Sequence, residues 1–136
     1  MGNTIKTMKK VSYDHVRTNI VNNSNYILIN TLPDIDQSCL IMNTISSQDE
    51  INIINKLIKE KRQKNTTVCI YGKNYSDEKI ITQYNKLKSL GFTKLEIYPG
   101  GIFEWLCLHE IYGYEHFPIT STTVIDILKY RPDFSK

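Results

Sequence analysis

Apolar positions along the chain switch between two spacings. Short runs at 26–29, 40–45, 66–71 and 95–98 are rich in Ile, Val, Leu and Tyr, and Asn, Gly and Pro lie at their borders, the pattern of buried strands. Between them the spacing becomes helical. Ser47 followed three residues later by Glu50 reads as a capping box, and Ile51, Ile54, Leu57 and Ile58 recur behind it at helical intervals. Asp77 and Glu78 fit a first helical turn, followed by a stripe of Ile80, Ile81, Tyr84, Leu87 and Leu90 that stops at Gly91. An earlier helix, capped by Ser12 and carrying Val16 and Ile20 on one side, ends in the Asn22 to Asn25 cluster. A further helix runs from Ile102 to about Ile111, and a last one, capped by Ser121 or Thr122, runs to Tyr130 before Arg131 and Pro132. Strands alternating with helices predict an α/β fold: a mainly parallel sheet of about five strands, right-handed crossovers, and helices on both faces. Chemistry in such sheets gathers at the carboxyl ends of strands, here the loops 72–76 and 99–101.

Composition narrows the class. A chain of 136 residues with 40% apolar content closes one core, so residues 1–10 are expected to be a tail and 11–136 a single domain with its C-terminal helix over 122–130. No run is long enough to cross a bilayer and the N-terminus lacks the apolar stretch of a signal peptide, so a soluble, cytoplasmic or otherwise intracellular protein without a membrane partner is expected. Cys39, Cys69 and Cys107 form neither a disulfide framework nor a CxxC pair. Cys107 and His109 have no second ligand pair, so no metal and no cofactor is expected. The net charge is +3, and the basic cluster at 56–64 closes a helix, where cations complement the dipole; no nucleic-acid partner is expected. The absence of alanine beside twenty Ile, fourteen Lys and twelve Asn reads as drift in an AT-rich genome, which lowers the weight of any Asn or Tyr cluster.

A buried strand that ends in a short loop and enters a helix points several backbone N–H groups and the positive helix end at one place, a cradle for an anion or a thiolate. The stretch VCIYGKNYSDEK supplies strand, loop and helix start, and Lys73 adds a charge. After it come a helix, Gly91 and Phe92, a strand, and then Gly100, Gly101, Ile102 and Trp105. This series resembles the rhodanese-like family, in which a strand ending in a catalytic cysteine loop is followed by a helix, a "GF" step, a strand and a "GG(I/L)xxW" signature. Further upstream, VSYDHVRTNI resembles the family's opening helix, YILINT its first core strand and LIMNTIS its "GAINIP" strand, so the resemblance covers Val11 to about Pro118.

Two departures carry information. Where the family usually has Asp-Val-Arg, this chain has Asn30, Thr31 and Leu32. The resemblance places the sulfur-carrying cysteine between Gly72 and Tyr75, and the loop Gly72, Lys73, Asn74, Tyr75, Ser76 contains none. Sulfur transfer requires a thiolate that takes up a sulfane sulfur as a persulfide; a tyrosine with an unperturbed pKa of about 10 and a hard oxygen does not replace it. Cys69 lies inside the strand, Cys107 follows Trp105 on a helix and Cys39 precedes a strand, so all three read as packed thiols. His15 and His109 read as surface side chains on helices. The aromatic segment 112–117 reads as a packed lid near the loop's end of the sheet. The expected function is a catalytically silent rhodanese-like module that binds a protein partner or a small anion. Alternatives are an active sulfurtransferase using Cys69 as a displaced nucleophile and a structural component that assembles with copies of itself.

Overall fold

The computed structural model describes residues 8–122 and 126–132. Its sheet has four parallel strands, β1 (Tyr26–Asn30), β2 (Thr44–Ile45), β3 (Thr67–Tyr71) and β4 (Lys94–Ile97), in the order β2-β1-β3-β4. Leu28 is in register with Thr44 on one side and Cys69 on the other, and Cys69 is in register with Glu96. The expectation of about five strands is therefore corrected to four. A fifth position beside β4 is filled by one bridge, Lys10 to Ile97, flanked by hydrogen bonds from Val11 N to Ile97 O and from Ile97 N to Lys9 O. The chain turns into a helix at Tyr13 before a longer ladder can form. Residues 8–11 are thus tied to the sheet, and Met8 is buried in its core.

The strand expected over 40–45 is divided. Asn43 adopts a left-handed φ of 70°, which turns the backbone so that only Thr44 and Ile45 pair with β1. Ile41 instead makes an antiparallel bridge to Ile119.

Four helices, α1 (Tyr13–Asn22), α2 (Ser47–Lys59), α3 (Lys79–Ser89) and α4 (Gly101–Tyr112), cover both faces. Side chains alternate along each strand, so Leu28, Cys69, Tyr71 and Tyr98 join Val16, Ile102, Trp105 and Leu106 under α1 and α4. Ile29, Val68, Ile70, Leu95 and Ile97 face the other way, against Ile54, Leu57, Ile80 and Leu87 of α2 and α3. Burial on both faces explains why the strand sequences read as continuous apolar runs.

Helix ends differ from the sequence expectation in three places. The N-cap of α2 is Ser46, one residue early; Ser47 Oγ donates instead to Asp34, and the Glu50 carboxylate accepts from Gln83 Nε2 at 2.6 Å. Helix α3 starts at Lys79, leaving Asp77 outside to accept the Lys79 N–H at 3.0 Å. The C-terminal helix expected over 122–130 is a 3₁₀ turn, Ile127–Tyr130, while residues 123–125 lie outside the described residues. Gly91 ends α3 as expected, at φ 100°, with Phe92 N donating to Leu87 O at 3.2 Å.

Candidate functional site

Helix α4 is pressed against the loop that follows β3. Ile102 N donates to Gly72 O at 3.0 Å and Phe103 N to Lys73 O at 2.9 Å. Gly101 makes this approach possible: its φ is 66°, and a β-carbon there would lie 2.6 Å from Gly72 O and 2.9 Å from Asn74 N. Trp105 anchors the same helix from below. It is fully buried, donates from Nε1 to Pro118 O at 3.1 Å, and meets Tyr98 and Phe117 edge-on at 6.1 and 5.2 Å. Gly101 and Trp105 therefore serve one purpose, holding α4 and the loop in contact.

The interior of the loop is occupied by the chain itself. Asp77 Oδ2 accepts from Thr31 Oγ1 at 2.8 Å and from Lys73 N at 3.3 Å. Asn74 is buried; its Oδ1 accepts from Ser76 N at 2.8 Å and from Ser76 Oγ at 2.6 Å, while its Nδ2 donates to Tyr130 O at 2.7 Å. The amides of Lys73, Ser76 and Lys79 are thus bound internally, two of them by a carboxylate that sits where an external anion would be drawn. Tyr75 is 60% exposed and does not fill the cradle. Gly72 is enclosed: a β-carbon at that residue would lie 2.3 Å from Asp77 Oδ2 and 2.6 Å from Thr31 Oγ1.

The sequence pattern gives Asp77 a place in a first helical turn and marks neither Thr31 nor Asp77 as a site residue. One signal pointed toward them, the replacement of Asp-Val-Arg by Asn30, Thr31 and Leu32. Asn30 now accepts from Leu32 N at 3.0 Å and Gln37 Nε2 at 2.8 Å and donates to Ile45 O at 3.2 Å, so neutral amides organise the strand end. Thr31 turns toward the loop and holds Asp77.

None of the three thiols lies in the loop. Cys69 is fully buried in β3, and burial pushes its thiol far above the ordinary value. Cys39 is buried too; burial raises its pKa and the Lys129 ammonium opposes that shift. Cys107, on α4, is half-buried and shifted upward by burial and then by Glu104.

The histidines are not simple surface groups. Glu96 is 2% exposed within the sheet, and His15 Nε2 reaches its Oε2 at 2.7 Å, alongside the Tyr26 hydroxyl donating at 3.1 Å. A carboxylate buried this deeply needs such partners, which draws His15 inward from α1. His109 Nδ1 lies 2.7 Å from Phe117 O. The aromatic segment 112–117 is also displaced from its expected place. Helix α4 begins at the loop and carries the chain about 16 Å away by its last residue, Tyr112. Phe117 is buried there against Tyr13 and Trp105, with the Arg17 guanidinium 4.8 Å from its ring centre.

Beside the loop, between α3 and the outer edge of β4, lies a cleft of about 470 Å³ lined by Met8, Tyr75, Ile80, Ile81, Ile97 and Pro99 among others. Among the described residues no group of three His, Cys, Asp or Glu side chains is placed to hold a metal, and no helix is long and apolar enough to cross a membrane.

No family sequence profile and no curated protein matches the chain. Solved structures do. A rhodanese-like domain from Anabaena sp. superposes with a TM-score of 0.57 at 15% identity, covering 88% of this chain and 89% of that one. A single-domain sulfurtransferase from Saccharomyces cerevisiae gives 0.54 at 18% identity, over 78% of this chain and 94% of that chain. A thiosulfate sulfurtransferase from Pseudomonas aeruginosa gives 0.58 at 11% identity over 76% of this chain, which spans only 19% of that protein. With the parallel β2-β1-β3-β4 sheet, the helices on both faces and the loop between β3 and α3, these likenesses identify the architecture of this chain as the rhodanese-like fold.

Proposed function

We propose that this protein is a rhodanese-fold domain that transfers no sulfur and acts as a binding module for a protein partner, with the loop end of the sheet as its contact face. One observation carries the reading: the side-chain space at Gly72, the first residue after β3, is taken by Asp77 and Thr31. A persulfide carrier needs a thiolate reached by solvent and stabilised by surrounding amides. Here the Asp77 carboxylate holds the Lys73 and Lys79 amides, the Asn74 side chain holds that of Ser76, and no residue from Gly72 to Tyr75 is a cysteine. The same filling disfavours an external anion, since a second negative charge would have to displace Asp77 from Thr31 and Lys73.

The use of Cys69 as a displaced nucleophile is opposed by its full burial and raised pKa. A protein partner suits the face better. Tyr75 is 60% exposed on the loop, and the neighbouring cleft combines apolar side chains such as Ile80, Ile81 and Ile97 with the charged Lys10, Asp77 and Glu78. The test is sulfur transfer from thiosulfate to cyanide by the purified protein, with mass spectrometry of the product. Thiocyanate at the uncatalysed rate and no persulfide on Cys39, Cys69 or Cys107 is the expected result. Catalysis abolished by a single cysteine substitution would overturn it.

A further inference from the structure

The direction of strand addition reverses between β1 and β3. From β1 the chain passes outward to β2 and then returns as β3 on the other side, so beyond the Thr31–Asp77 contact the loops after β1 and β3 run to opposite sides of the switch point, where sheets of this kind form their crevice. In this protein the turn Ile127–Tyr130 bridges those two loops. Lys129 Nζ pairs with Asp36, in the loop after β1, at 2.6 Å. The Tyr130 carbonyl accepts from Asn74 Nδ2, in the loop after β3, at 2.7 Å. The Tyr130 ring is buried in the core cluster that also holds Cys39, and the Lys129 ammonium lies 5.0 Å from that ring.

We propose that this turn is a displaceable strap, an autoinhibitory contact that covers the crevice at the strand ends and leaves it while the sheet stays folded. The balance of contacts supports local release. Leu128 is 59% exposed, and beside the apolar contacts of Ile127 and Tyr130 the turn is held by two polar contacts whose groups regain water on release. Tyr130 is the turn's one buried residue. Local openings draw on segments with few buried apolar contacts, whereas β3 is enclosed on both faces and opens only with the whole domain. The loop also keeps its own order after release, because Asn74 Oδ1 remains bound to Ser76 and Asp77 to Thr31. The proposal is independent of whether the domain transfers sulfur.

Cys39 reports on the strap and Cys69 on global opening. The full-length protein would be alkylated with iodoacetamide over a range of low urea concentrations, and each cysteine followed by peptide mass spectrometry. Cys39 is expected to react at least tenfold faster than Cys69, with a rate that changes little as urea rises below the unfolding transition. Lys129→Met, which breaks the pair with Asp36, is expected to speed Cys39 several-fold and leave Cys69 unchanged. Equal rates that climb together with urea, a parallel rise of both cysteines in the variant, or no response of Cys39 to Lys129→Met would each overturn the strap. If the variant fails to fold, the urea dependence in the unsubstituted protein decides alone.

Discussion

Replacing Gly72 by alanine and Asp77 by alanine, singly and together, measures how far the two residues compete for one volume. Gly72 is not among the residues with a left-handed φ, so alanine there meets no backbone strain. Its β-carbon would nevertheless lie 2.3 Å from Asp77 Oδ2 and 2.6 Å from Thr31 Oγ1, where ordinary contacts begin near 3.4 Å. The carboxylate must swing away by about 1 Å, which breaks its bonds to the Thr31 hydroxyl and the Lys73 amide. Two partly exposed bonds to a charged acceptor are worth about 2 kcal/mol together. Asp77→Ala loses the same bonds plus the cap on Lys79, for about 2 to 3 kcal/mol. In the double variant the new methyl group occupies the space the carboxylate vacated, so the total stays near about 3 kcal/mol instead of about 5. Urea unfolding followed by circular dichroism reads this directly. With a slope of about 2 kcal/mol/M, each single substitution lowers the midpoint by about 1 to 1.5 M, and the double variant falls little below the worse single one. Midpoint shifts that add, with coupling under about 0.5 kcal/mol, would refute the competition and with it the account of why the loop starts with glycine.

Three further substitutions test other parts of the structure. Tyr71→Phe removes the hydroxyl that accepts from the buried Ile41 N–H at 3.2 Å, and a loss of about 1 to 2 kcal/mol is expected in urea unfolding; an unchanged midpoint would contradict the contact. His15→Ala takes the nearest partner from buried Glu96 and should cost about 2 kcal/mol, recovered in good part by adding Glu96→Gln, whereas a failure of that rescue would mean the loss comes from α1 itself. Burial between α2 and α3 raises the Glu50 pKa above 4.5, so the folded state binds this proton more tightly than the unfolded chain. The resulting penalty is absent below 4.5, grows as pH rises through the folded pKa and is complete above it. Glu50→Gln, which keeps an acceptor for Gln83, should therefore stabilise the protein at pH 7 and lose that advantage in acid; a pH-independent difference would exclude the carboxyl group as its source.

The elements that were legible in the sequence are those whose signal is local. The β-branched run ending at Tyr71, the apolar stripe of α3 and the glycine after it each depend on neighbours within one or two turns, and each formed where its pattern placed it. Boundaries were less legible, because a cap is chosen by competition among nearby groups. Ser46 displaced Ser47 at the start of α2 once Ser47 had found Asp34, and Asp77 stayed outside α3 once Thr31 had found it. The two-residue length of β2 turned on the single left-handed backbone at Asn43.

By itself the sequence determined an α/β alternation, the loop between β3 and α3, and the lack of a cysteine in that loop, since each is a property of residues adjacent in the chain. Tertiary structure decided what the loop became. Thr31 and Asp77 are 46 positions apart, and Asn74 and Tyr130 are 56 apart. No periodicity couples residues at such separations; only the parallel pairing of β1 with β3, and the return of the C-terminal turn across their ends, brings them within hydrogen-bonding distance. For the same reason the aromatic segment 112–117, which the sequence pattern puts near the loop, is carried off by the length of α4, while Lys129 and Tyr130 reach the loops after β1 and β3 instead.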